Sequence, residues 1–173
     1  MKLTGYFIRR RISALSKDAA LRPHNYCSLS DAKSILLLFQ SEDEKLIDVC
    51  VSKLKDKNIK VIVCLYSKIP VCSESRDDSY FVIDMNDNLN MFYYPDEATN
   101  RHFSALQADM LIDLTHNDCY AMQYLLLQHP CRFKVGIQGC FPIYDMEFSA
   151  SKDIDISHIF DQMLFYLQII RSK

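Results

Sequence analysis

Glycine is scarce in this chain: of 173 residues only Gly5, Gly136 and Gly139 lack a side chain. A backbone that approaches a pyrophosphate needs glycines at its first strand–helix turn, and a P-loop needs Gly-x-x-x-x-Gly-Lys. The junction Phe39-Gln40-Ser41-Glu42-Asp43 has neither, and its acids would repel a phosphate. This argues against a standard dinucleotide site and excludes a P-loop. Gly-x-Ser-x-Gly and His-Glu-x-x-His are missing as well, so the nucleophile elbow and the zincin helix are absent. No uninterrupted apolar run approaches the ~18–20 residues that cross a bilayer. Charge is nearly balanced at −2, which gives no whole-chain case for nucleic acid.

What is present is ordinary for a folded protein. Apolar residues make up 49% and charged residues 24%, and the length is about that of one domain. Seven cysteines form an odd set without a Cys-x-x-Cys pair, and Cys50 and Cys64 fall in apolar periodic segments. That pattern is unlike a disulfide scaffold and leads us to expect a reducing, cytoplasmic setting.

The balance of charge hides an asymmetry. Residues 1–23 hold Lys2, Arg9, Arg10, Arg11, Lys17 and Arg22 against Asp18, a net of +5, so residues 24–173 carry −7. Leu3, Phe7, Ile8, Ile12 and Leu15 recur at helical spacing, giving a basic amphipathic helix over 1–23. Its arginines follow the short apolar stretch instead of preceding it, which is the wrong order for a secretory signal. Such a helix can pack on its own acidic domain or on a second subunit, lie on an anionic membrane, or touch nucleic acid. Packing is the favoured reading.

Beyond Pro23 the pattern alternates. Ser34–Phe39 and Lys60–Tyr66 are all-apolar or nearly so, as strands buried on both faces are. Between them, Ser41 and Glu44 have the form of a capping box for a helix bearing Leu46, Ile47, Cys50, Val51 and Leu54 on one face. Residues 67–79 read as a loop. Tyr80–Asp84, Asp109–Thr115, Arg132–Ile137 and Tyr144–Phe148 read as further strands. Helices are expected after Pro95-Asp96-Glu97, over Asn117–Gln128, and from Asp155 or Ser157 onward. The alternation predicts a single Rossmann-like, doubly wound α/β domain over 24–173, with a mostly parallel sheet of five or six strands in the order 3-2-1-4-5.

In that order strands one and four meet at the switch point where open sheets bind ligands. Their ends offer Ser41 on one side and Asp113, Thr115, His116 and Asn117 on the other, and these five are the candidate ligand-binding residues. Asp113 lies within an apolar strand and must find hydrogen-bond donors or shift its pKa. The structural alternative has Asp113 bonding backbone amides while Thr115 and Asn117 cap the next helix. No catalytic residue is assigned, and no cofactor or metal is expected. Asp84-Met85-Asn86-Asp87-Asn88 begins like a calcium loop, but Leu89 and Pro95 stand where glycine and glutamate are needed, so an Asx-type turn is expected. His24/Cys27 and His116/Cys119 would suit zinc only if the two distant pairs converged.

The basic start, Ser41-Glu42-Asp43-Glu44, Asp87–Phe92 before Pro95, Leu111–Thr115, Phe133–Gly136 and Tyr144-Asp145 together resemble a short, uncharacterised α/β family of Bacteroidetes, known as a domain of unknown function. That resemblance covers nearly the whole chain and implies a fold, without an activity. Ile112-Asp113-Leu114 with Lys134-Val135-Gly136 is also similar to the amino-terminal half of heptosyltransferase-type glycosyltransferases. This second likeness covers about a third of the chain and has no counterpart of their donor-binding domain, so it is an analogy of fold.

The leading expectation is a non-enzymatic protein acting through protein contacts or as a homodimer, with Phe92, Tyr93, Tyr94 and Phe141 as loop aromatics that could form a surface. The alternative is a small-molecule or nucleotide-binding protein, a transferase or hydrolase among the options, with its site at the carboxyl edge of the sheet. A peripheral membrane or nucleic-acid role through residues 1–23 ranks third and requires Arg9, Arg10 and Arg11 to face solvent without acidic partners; whether the chain is an enzyme is left open.

Overall fold

A computed structural model describes residues 3–19, 21, 25–68, 80–91, 94–115, 119–150 and 155–172. Its frame is a six-stranded sheet in the order β3-β2-β1-β4-β5-β6, from β1 (Ser34–Gln40), β2 (Lys60–Ser67), β3 (Tyr80–Asp84), β4 (Met110–Asp113), β5 (Lys134–Ile137) and β6 (Met146–Phe148). Every neighbouring pair is parallel. The expected order is met, with β6 added beside β5. Ser67 closes β2 instead of opening a loop; residues 69–79 lie outside those described.

Period-two alternation explains the two cores. Ile35, Leu37 and Phe39 face one layer with Val61, Val63 and Leu65. Leu36 and Leu38 face the other with Cys64 and Leu111. Helices α2 (Glu44–Lys55) and α5 (Ile156–Ile169) cover the first face through Ile47, Cys50, Leu54, Ile159, Phe160 and Leu167. Helices α3 (Glu97–Ala105) and α4 (Tyr120–Gln128) cover the second through Phe103, Met122 and Leu125. Helices on both faces of a parallel sheet define a Rossmann-like, doubly wound α/β fold.

Local chemistry sets the helix ends. Asp96 caps α3 by accepting from the Thr99 amide at 2.7 Å, and Asp155 caps α5 from the Ser157 amide at 3.3 Å. After α2, Asn58 takes a left-handed φ of 58°, which asparagine tolerates better than most residues. The capping box is not formed. A 3-10 turn over Ser41–Asp43 intervenes and moves Ser41 out of the first turn of α2, so its hydroxyl donates to Glu42 Oε2 at 3.4 Å. Asp84 and Asn88 do build the Asx-type turn: Asp84 Oδ1 accepts from the Asn86 amide at 2.7 Å and Asn88 Oδ1 from the Asp84 amide at 2.8 Å.

The amino-terminal helix α1 (Leu3–Ala19) packs outside α4, with Ile8 and Ile12 fully buried. Apolar contact therefore anchors it, and its arginines do not reach acidic partners among the described residues. Arg9 instead lies over the Tyr120 ring, 5.5 Å from its centroid. The loop aromatics turn inward: Tyr94 meets Tyr124 edge-on at 5.3 Å, and Phe141 packs on the second core. Phe92 and Tyr93 lie outside the described residues. Exposed aromatic surface sits on helices, at Tyr6, Phe7, Phe165 and Tyr166.

Candidate functional site

The carboxyl ends of the central strands carry a row of polar side chains taken out of water. Gln40 ends β1, Ser67 ends β2, and Asp113 and Thr115 end β4; all are 4% exposed or less. Ser41 is half-buried beside them. β1 pairs with β2 on one side and with β4 on the other, so this row crosses the switch point. Above it, Lys68 and Glu42 form an ion pair at 3.3 Å.

Asp113 is the centre of the row. The sheet register places Phe81, Cys64, Leu38, Asp113, Gly136 and Glu147 side by side across six strands. Asp113 is thus a carboxylate in a largely apolar rank, and burial raises its pKa. Three hydrogen bonds oppose that shift, from the Tyr144 hydroxyl, the Thr115 side chain and the Thr115 amide. The Thr115 amide donates to Oδ1 at 2.8 Å, and the Tyr144 hydroxyl donates to Oδ2 at 2.6 Å. Burial and the adjacent carboxylate push the Tyr144 hydroxyl well above the ordinary tyrosine range, so it remains a donor.

The neighbouring strand makes room for that contact. A Cβ on Gly136 would come within 2.7 Å of three carbons of the Tyr144 ring, so the ring lies directly on the β5 backbone, and its hydroxyl reaches the paired Asp113. Glu147 stands on the far side of Gly136. Cys64 and Cys119 lie close enough to feel Asp113 or Tyr144; the Cys64 thiol is raised well above its ordinary range, first by burial and then by Asp113. A raised carboxylic acid short-bonded to a phenol can hold or relay a proton and can orient a polar ligand.

The structure brings together Asp113 and Thr115 and places Ser41 at the end of the adjacent strand; His116 and Asn117 lie outside the described residues. The backbone bond to Asp113 that the structural alternative expected is present. Thr115 does not cap α4, whose N-cap position is Cys119. Tyr144 and Gly136 were not among the expected site residues. A glycine in an otherwise apolar strand was the available signal, since it marks a close approach.

The opposite edge of the sheet carries two adjoining clefts of about 590 Å³ each among the described residues. His129, Pro130, Cys131 and Arg132 line both. Burial holds His129 down at about 4, so the ring is neutral; its Nδ1 accepts from the Cys131 amide at 3.1 Å and its Nε2–H donates to Leu106 O at 3.0 Å. Lys134 reaches back to the carbonyls of Leu126 and His129 at the carboxyl end of α4. Cys27 lines this edge and Cys119 lies at the other, near Tyr144, while His24 and His116 lie outside the described residues. Among the described residues no group of three or more His, Cys, Asp and Glu side chains could hold a metal ion. None of their helices is long and apolar enough to cross a membrane.

Fold and site together define a doubly wound α/β protein with a buried acid–phenol pair at its switch point. Over residues 5–170 the chain matches the Family of unknown function (DUF6913), and it belongs to that family. No curated protein matches the chain, and no solved structure does. The glycosyltransferase likeness therefore rests only on the short motifs quoted above.

Proposed function

We propose that this protein binds a small polar ligand at the carboxyl edge of its sheet, between the ends of β1 and β4. The supporting observation is the row of buried polar side chains at that edge, centred on Asp113, where apolar strands would otherwise end in apolar residues. Polar groups kept from water at strand ends have to be held by hydrogen bonds, as Asp113 is by Thr115 and Tyr144, and a ligand site is one reason to retain them. Ser41, Asp113 and Thr115 would orient the ligand, and the Asp113–Tyr144 pair would supply or take up a proton. His116 and Asn117 belong to this reading by sequence position.

The test is native mass spectrometry of the purified protein, followed by thermal shift with a panel of nucleotides, sugar phosphates and carboxylic acids. A retained mass lost on denaturation, or a panel compound that raises Tm, is the expected result, with the effect gone in Asp113→Asn. Absence of both, or an undiminished effect in that variant, overturns the reading.

A second reading, self-association, is favoured by a separate observation. Phe165, Tyr166 and Ile169 are each more than half exposed on α5, and Tyr166 meets Phe148 of the edge strand at 5.8 Å. An exposed apolar stripe beside a short edge strand suits a second copy of the chain.

A further inference from the structure

Helix α1 has two opposed faces with opposite jobs. Ile8, Ile12 and Ser16 recur along one side and are buried. Tyr6, Arg10, Ala14 and Lys17 recur three or four residues apart along the other, and all are exposed. Leu21 continues that line just past the helix and is 85% exposed. Arg9 and Arg11 flank the line and are exposed too. None of these four basic residues has an ion pair among the described residues.

The apolar groups lie around the charges. Tyr6 and Phe7 form an edge-on pair at 5.8 Å near the amino end, each about half exposed. Arg11 is within electrostatic reach of Tyr94, whose amide and carbonyl close the turn with Asn90. Met91 sits in that turn and is 81% exposed. Basic charge on the outer side of α1 is therefore bordered by Tyr6 and Phe7 at one end and by Leu21 at the other.

We propose that this outer face of α1 docks on an anionic membrane surface. The helix would lie along the plane, with Arg10 and Lys17 facing acidic headgroups, Arg11 at the flank, and Tyr6, Phe7 and Leu21 entering the interface, while Arg9 stays on the Tyr120 ring of α4. Charge asymmetry sets the orientation. The net −7 of residues 24–173 is repelled by the same headgroups that attract α1, which turns the body outward. A nucleic acid would satisfy the arginines, yet it would leave the apolar residues at both ends of the stripe without a purpose.

The experiment is co-sedimentation of the full chain with phosphatidylcholine vesicles, with and without phosphatidylserine, alongside binding to a single-stranded oligonucleotide. The wild type is expected to pellet only with the phosphatidylserine vesicles and to be released by salt. The Arg10→Glu/Lys17→Glu variant changes two solvent-facing residues, so its melting temperature is expected to hold. Its vesicle partitioning should fall more than about tenfold, since each basic residue near such a surface contributes roughly fivefold. No binding to anionic vesicles, equal binding to neutral ones, or an undiminished variant overturns the proposal. Oligonucleotide binding without vesicle binding overturns it in favour of a nucleic-acid surface.

Discussion

Asp113 concentrates the molecule's chemistry at a single residue. A carboxylate in a row with Leu38, Cys64 and Gly136 has no water to solvate it, so the hydrogen bonds from Tyr144 and Thr115 set its cost. Tyr144→Phe removes one of them and keeps the ring on Gly136. Above the raised pKa, where Asp113 is ionised, the expected loss is about 1.5–3 kcal/mol, the range for a hydrogen bond to a charged group. The pH dependence has a defined sign. Because burial holds the Asp113 pKa above its unfolded value, the fold favours the protonated acid. That contribution is complete below the ordinary carboxylate range and is lost as pH rises through the raised folded value. Asp113→Asn has no proton to lose, and the Tyr144 hydroxyl can turn to accept from its amide. The variant should therefore gain on the wild type as pH is raised from about 4. Urea unfolding of both proteins across that window gives the answer; parallel stability curves would rule out a raised Asp113.

At the scale of elements, the fit between β5 and the segment before β6 rests on a missing side chain. Gly136→Ala puts a methyl group into the space held by the Tyr144 ring, and overpacking of this kind costs about 1–3 kcal/mol. The same substitution in a Tyr144→Ala background should cost much less, because the ring is gone. A double-mutant cycle by chemical denaturation measures that coupling, and additive costs would show that the ring does not lie on the strand. This contact also marks where the sequence ceases to be legible. Strands β1 and β2 could be read directly, since a short apolar run bounded by charge has few other uses in an α/β fold. Asp96 and Asp155 announced their helices, because a cap acts within three residues of itself. Ser41 misled for the same local reason: a 3-10 turn and a capped helix begin with similar residues, and only the chain path decides between them. The Tyr144–Asp113 bond spans 31 residues and depends on strands that meet only after folding. Asp113 was therefore legible as a buried acid in need of donors, while its main donor was not.

At the scale of the whole molecule, two surfaces remain exposed among the described residues that the sheet's own layers do not need. One is the outer face of α1 and the other is the α5 stripe, and they differ in chemistry. The first is basic with an apolar border. The second is apolar around Phe165, Tyr166 and Ile169, with the Lys53–Asp161 ion pair at 2.5 Å nearby. A 14-residue helix is about 21 Å long, so a symmetric contact through α5 and the short edge strand β6 buries an area at the low end of specific interfaces. Association should accordingly be weak and depend on concentration. In sedimentation velocity the wild-type mass is expected to climb toward that of a dimer at roughly micromolar concentrations and above. Phe165→Ser/Ile169→Ser should remain monomeric over the same range. Both side chains are more than half exposed in one copy, so their loss should change monomer stability by only about 0.5 kcal/mol. A wild type that stays monomeric throughout would remove self-association, whereas a variant that still dimerises would move the interface to another face.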